Sequence, residues 1–214
     1  MESITEKVFS RIYGHGRGWV FSQIDFFDLG SKDAIDKIVS RSAKKGTIRR
    51  LMQGLYDYPI YSKLLEEELP PKMDKVAEAV ARKYTWNIIP EGSTALHLLG
   101  LDLQVPARYT FLSSGPSREY HIQEQKVTFL HRKMSHTMIK DHYTATLVQA
   151  IQAIGQGNIT NKQIKQLSSL RTAKEYHKIV RETKSITVWI HDAIMHIANL
   201  TEHEENNSTQ PIIA

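Results

Sequence analysis

The residues Asp33, Lys37, Ser40, Arg41 and Lys44 recur at i, i+4, i+7, i+8 and i+11, the spacing that puts side chains on one face of an α-helix. The stripe mixes long cationic donors with short hydrogen-bonding groups, which is the chemistry needed to meet phosphates and base edges. Ala34, Ile35, Ile38, Val39 and Ser42 fall on the opposite side and supply a packing face. Ser31 opens the helix, Lys45 ends it and Gly46 stops it. Thr47 to Leu51 then reads as a strand, Gln53-Gly54 as its turn, and Leu55 to Tyr58 as the return. Arg49, Arg50 and the turn are expected to lie near the same nucleic-acid backbone as the helix. A face rich in lysine and arginine is by itself usually a solvated face. It is the hairpin after it that makes the layout of a winged-helix DNA-binding module.

Other chemistry is poorly supported. His131, His136 and His142 are spaced by five and six, and His191 and His196 by five. None makes the i, i+4 pair of a metalloprotease helix, and there is no cysteine to complete a zinc set. Nucleophile elbows, Walker-type loops and a nucleotidyltransferase-like aspartate pair are absent from the sequence, so no catalytic residue, metal or cofactor is expected. Gly14-His15-Gly16-Arg17-Gly18 invites a phosphate-loop reading. A nucleotide-binding glycine loop belongs between a buried strand and a helix, whereas here a helical pattern precedes it, so a plain turn is expected. Arg17 in that turn is still placed among the candidate phosphate contacts.

The 214 residues suffice for one large domain or two modest ones. A net charge of +5 fits a polyanionic partner. The charged, periodic N-terminus lacks the apolar run of a signal peptide. No apolar run approaches the ~18 residues of a membrane span. A cytoplasmic protein with no membrane partner is expected.

The elements that must position the stripe follow from local signals. Ser3 and Glu6 have capping-box spacing, with Val8, Phe9 and Ile12 as the apolar face of a first helix. Ser22 caps a short helix from Gln23 to Leu29. The acidic run Glu66-Glu67-Glu68 followed by Pro70-Pro71 reads as a boundary. A helix is expected from Lys72 to Tyr84, an extended stretch at Trp86 to Pro90, a short helix after Gly92, and a small antiparallel sheet between Val105 and His131. Helices follow from Met138 to Ile154, after the capping boxes Thr160/Gln163 and Thr172/Glu175, and from Ser185 to Leu200. The expected class is α+β: a winged helix-turn-helix over 1–60, a linker over 61–71, a mixed domain over 72–200 and a flexible tail over 201–214.

The run from Gly14 to Pro59, the segment Val76 to Lys83 and the turn Leu112-Ser113-Ser114-Gly115-Pro116-Ser117-Arg118 together carry a resemblance. Over roughly Ile4 to His131 the chain resembles the AbiEi-like antitoxins of bacterial type IV toxin–antitoxin systems. The resemblance implies an N-terminal winged helix-turn-helix that represses its own operon by binding promoter repeats in double-stranded DNA. It also implies a C-terminal domain that counters a nucleotidyltransferase-like toxin, without a stable complex being required. The DNA-facing residues it carries over are Ser31, Lys32, Lys37, Arg41, Lys44, Arg49 and Arg50. Asp33 and Asp36 depart from a wholly basic helix start; they serve either as acceptors for a cytosine amino group or as favourable charges at the helix dipole. The alternative reading is a winged-helix module that binds an acidic protein or RNA and has no antitoxin activity.

Overall fold

The computed structural model describes residues 2–133, 139 and 141–209, with the backbone alone for Ser208 and Thr209. The chain forms two compact units, one of residues 1–88 and 107–132, the other of 89–106 and 133–214. It is a mixed α+β protein.

In the first unit, α1 (Ile4–His15) begins as its sequence requires. The Glu6 amide donates to Ser3 Oγ at 3.2 Å, and the Ser3 amide donates to the Glu6 carboxylate at 2.7 Å. These two bonds satisfy amides that a helix start leaves orphaned. Strand β1 (Val20–Phe21) and α2 (Lys32–Lys44) follow. The short helix expected over Gln23 to Leu29 is instead a single 3-10 turn, Gln23–Phe26, tightened by the Ser22 amide donating to Asp25 Oδ2 at 2.8 Å. Strands β2 (Arg49–Met52) and β3 (Leu55–Asp57) form the expected hairpin, and β1 adds to it in the order β1-β3-β2. Val8, Ile12, Phe21, Phe26, Ile35, Val39 and Ile48 fill the core beneath it.

The segment expected to be a linker contains a small hairpin, β4 (Tyr61–Ser62) with β5 (Glu67–Glu68). It leads into α3 (Met73–Tyr84). After β6 (Ile88–Pro90), at the junction of the units, the first unit resumes with β7 (Arg108–Ser113), β8 (Arg118–Ile122) and β9 (Gln125–His131). β8 pairs antiparallel with β9, as expected, while β7 pairs parallel with it. β8 carries the chain back, so β9 starts level with β7 and runs alongside it.

The expected boundary between residues 60 and 72 therefore lies within one unit. Val20 and Leu55, from β1 and β3, share a core with Met73, Val76 and Val80 of α3 and with Phe111, Val127 and Phe129 of β7 and β9. Each such buried side chain is worth about 1.5–3 kcal/mol, enough for this shared core to fix the first hairpin to α3 and the sheet.

The second unit packs α4 (Gly92–Leu98), α5 (His142–Ile154), α6 (Asn161–Ser168), α7 (Ala173–Glu182) and α8 (Val188–Thr209). Both capping boxes form, Thr160 with Gln163 and Thr172 with Glu175. Asp141 caps α5, so the helix starts later than the expected Met138, which lies outside the described residues. The last helix continues past Leu200 instead of giving way to a tail. Thr201 is buried with its hydroxyl 3.3 Å from the Ser168 carbonyl; Glu204 accepts from Ser168 Oγ at 3.0 Å and Glu205 from the Ala173 amide at 2.9 Å. These polar anchors extend the helix where apolar periodicity stops. Among the described residues no helix is long and apolar enough to cross a membrane.

Candidate nucleic-acid interface

The α2 helix displays the stripe because its other face is spent on the core. Ile35 and Val39 are buried, and Ser42 turns its hydroxyl inward to the Ile38 carbonyl at 2.7 Å. Ser31 is the N-cap, its hydroxyl accepting from the Ala34 amide at 3.4 Å. A direct DNA contact by Ser31 competes with that role. Gly46 adopts φ +74°, a conformation L side chains rarely adopt, and ends the helix.

Lys32, Asp33, Lys37, Arg41, Lys44 and Lys45 are all exposed, and Ser40 is half-buried beside them. Among the described residues no ion pair engages Lys32, Lys37, Arg41, Lys44, Lys45 or Arg50. The helix thus offers five uncompensated cations, with Asp33 and Asp36 near its start. Asp33 in the first turn and Arg41 and Lys44 in the last suit the helix dipole. That accounts for their signs and leaves their charges free for a ligand. Arg50 is exposed on β2 opposite Tyr56.

Two candidate residues are placed otherwise. Arg49 faces Asp57 across the hairpin, donating to its two carboxylate oxygens at 3.1 and 2.6 Å and to the Leu69 carbonyl at 3.0 Å. Glu68 lies 3.6 Å from the same guanidinium. Asp57 is 1% exposed. Burial pushes its carboxyl above the ordinary range, and Arg49 pulls it part of the way back. Arg49 is therefore the counter-charge of a buried acid, with its donors directed inward. Alternation along the strand explains the difference from Arg50: neighbouring residues face opposite sides.

Arg17 is likewise engaged within the protein. It donates to the Pro59 carbonyl at 2.8 Å and lies over the Tyr58 ring, 4.6 Å from its centroid. It borders a cleft of about 690 Å³ that is also lined by Arg11, Lys72 and Arg82. In that cleft Arg11 is paired with Asp28, and Arg82 with Asp25. Arg17 belongs to this internally braced surface rather than to the α2 stripe.

Two of the spaced histidines make internal contacts. His131 Nδ1 lies 2.9 Å from the Gly115 carbonyl, and His191 Nδ1 lies 3.1 Å from Thr183 Oγ1. His136 is outside the described residues. Lys83, the end of the segment Val76 to Lys83 and not among the candidate contacts, is a further cation beside the hairpin. Its ammonium donates to the Gln53 carbonyl at the β2–β3 turn, at 3.4 Å. Its partner lies thirty residues away, beyond the reach of helical periodicity.

No curated protein matches the chain. A protein family described only as a family of unknown function, DUF6088, matches residues 7–179, most of the first unit and of the second, and the chain belongs to that family.

Proposed function

We propose that residues 1–60 form a winged helix-turn-helix that binds double-stranded DNA in the cytoplasm. In this reading α2 enters the major groove and the β2–β3 hairpin is the wing. The observation that carries it is the row of cations on one face of α2: Lys37, Arg41 and Lys44, with Lys45 after them, are exposed and among the described residues have no ion pair, while the reverse face is buried. A cationic face held on a packed helix, with Arg50 on the adjoining strand, supplies phosphate contacts without an ordering cost for the scaffold. The strand order β1-β3-β2 behind the helix is compatible with the wing assignment.

The sequence resemblance extends the proposal. The protein represses its own operon and acts as the antitoxin of a type IV system, countering a nucleotidyltransferase-like toxin without a lasting complex. In this role it works by binding and not by catalysis. A reporter driven by the DNA upstream of its own gene tests the repressor half. Wild type is expected to silence it, and Arg41→Glu with Lys44→Glu to restore expression at unchanged protein level and Tm. Full repression by the reversed protein would remove α2 from the account. Growth rescue on co-expression with the neighbouring gene's product tests the antitoxin half; rescue is expected, and toxicity that the protein leaves untouched would end that part of the proposal.

A further inference from the structure

The β2–β3 turn carries no cation of its own, since its tip is Gln53-Gly54. The charge at that tip comes from α3. Besides its bond to the Gln53 carbonyl, Lys83 Nζ lies only 3.0 Å from where a Cβ on Gly54 would sit. The same ammonium is 5.4 Å from the centre of the Tyr84 ring. Arg118, at the start of β8, reaches this group from the sheet; its Cζ is 5.7 Å from the Tyr84 centroid and 5.9 Å from that of Trp86. Tyr84 and Trp86 stack with centroids 4.9 Å apart and planes 23° from parallel. Trp86 is held edge-on to the fully buried Phe129 at 5.5 Å, and its indole covers Gly115 so closely that any Cβ there would run into it.

Cations here sit around an exposed tyrosine, and the Lys83 bond to the Gln53 carbonyl, at 3.4 Å, is longer than the usual range and leaves the ammonium open to a phosphate, unlike the 2.8 Å bond of Arg17. Among the described residues neither Lys83 nor Arg118 has an acidic partner. The core that joins β1 and β3 to α3, β7 and β9 fixes this group relative to the turn. In a helix-and-hairpin DNA complex the turn lies along the sugar–phosphate backbone beside the groove occupied by the helix.

We infer that Lys83 and Arg118, braced by Tyr84 and Trp86, form a second phosphate-binding element beside the β2–β3 turn, gripping the backbone of the duplex that α2 reads. The inference rests on the DNA-binding reading of α2 and extends it beyond residue 60. The element takes phosphodiester groups, for which Lys83 and Arg118 supply the charge. Such contacts position the protein and carry no sequence information. They raise affinity for every duplex alike.

The test measures binding by fluorescence anisotropy across a salt series. The probes are the duplex from upstream of the gene and a scrambled duplex of equal length. Lys83→Gln with Arg118→Gln is expected to weaken both by the same factor and to flatten the slope of log K against log salt by about 1.8, at about 0.9 per lost phosphate contact. An unchanged slope in this variant, with Arg41→Glu/Lys44→Glu abolishing binding, overturns the inference and leaves the α2 reading intact. Failure of the wild-type protein to bind either duplex overturns the reading itself. Hydrogen exchange on the wild-type protein gives a second measurement that needs no variant. DNA is expected to protect the amides around 83–86 and 117–120 as well as those of α2, and protection confined to α2 and β2–β3 would contradict the proposal.

Discussion

Replacing Arg49 with methionine separates a structural cation from a DNA-reading one. The substitution keeps most of the side-chain volume and removes the charge that faces Asp57, whose side chain is 1% exposed. Breaking a buried pair by deleting one partner typically costs about 3–5 kcal/mol, and the 19% exposure of the Arg49 side chain puts this case near the low end. Losing the donor to the Leu69 carbonyl adds about 1 kcal/mol. A total near 4 kcal/mol lowers Tm by about 10 °C for a chain of this size. Asp57→Asn is expected to cost less, because Arg49 keeps the Leu69 carbonyl and has Glu68 3.6 Å away. The pH dependence follows from linkage. Asp57 already has a raised carboxyl pKa, and without Arg49 it rises further. A folded acid with a raised pKa holds its proton where the unfolded one has lost it, so stability falls as pH climbs through that window. The Arg49→Met deficit is therefore smaller at about pH 5 than at about pH 8. Thermal denaturation of both variants at the two pH values provides the assay, with DNA affinity measured below the transition. A normal Tm combined with a large loss of affinity would refute the structural assignment of Arg49.

Three further outcomes follow from the packing. Gly115→Ala drives a methyl group into the Trp86 indole; overpacking of this kind costs about 1–3 kcal/mol, and a shift in tryptophan emission should accompany the drop in Tm. Tyr176→Phe removes a buried hydroxyl that donates to the Leu167 carbonyl at 2.6 Å and lies 3.1 Å from the Tyr143 hydroxyl. The Leu167 carbonyl keeps the Leu170 amide at 3.0 Å, so the loss is that of one buried hydrogen bond, about 0.5–1.5 kcal/mol, read by denaturant unfolding; a change near zero would mean water takes over the bond. Truncation after Leu200 removes the anchors at Thr201, Glu204 and Glu205. It is expected to raise hydrogen exchange in α6 and at the start of α7, whereas a free tail would leave exchange there unchanged.

Local signals in the sequence were enough to place most elements, since caps and periodicity are written within a few residues. Ser3/Glu6, Thr160/Gln163 and Thr172/Glu175 all form the boxes their spacing implies. The buried and exposed faces of α2 were legible for the same reason. What escaped depends on distant partners. Strand β1 has only Val20 and Phe21, and it exists as a strand because Tyr56 and Asp57 pair with it. The division at residue 60 overlooked a core whose members come from β1, β3, α3, β7 and β9. The acidic run and prolines of Glu66 to Pro71 read as a boundary, because composition cannot show that Glu67 and Glu68 pair with Tyr61 and Ser62 inside one unit. Within the candidate site, Lys37, Arg41 and Lys44 stand as their spacing implies, on an exposed helix face. Arg49 and Arg17 were grouped with them by charge alone. Their partners, Asp57 and the Pro59 carbonyl, are eight and forty-two residues away.

The central claim is that the free cations of α2 meet DNA phosphates. Its most direct measurement is the affinity of the intact protein for the duplex upstream of its own gene, followed as salt is raised. Five cations on α2 and Arg50 beside them are available, and their engagement of about four to six phosphates contributes about −3.6 to −5.4 to the log–log slope, to which any contacts by Lys83 and Arg118 add. Tight binding at low salt that fades along this slope is the result the account predicts. No binding at low salt, or binding indifferent to salt, would contradict it.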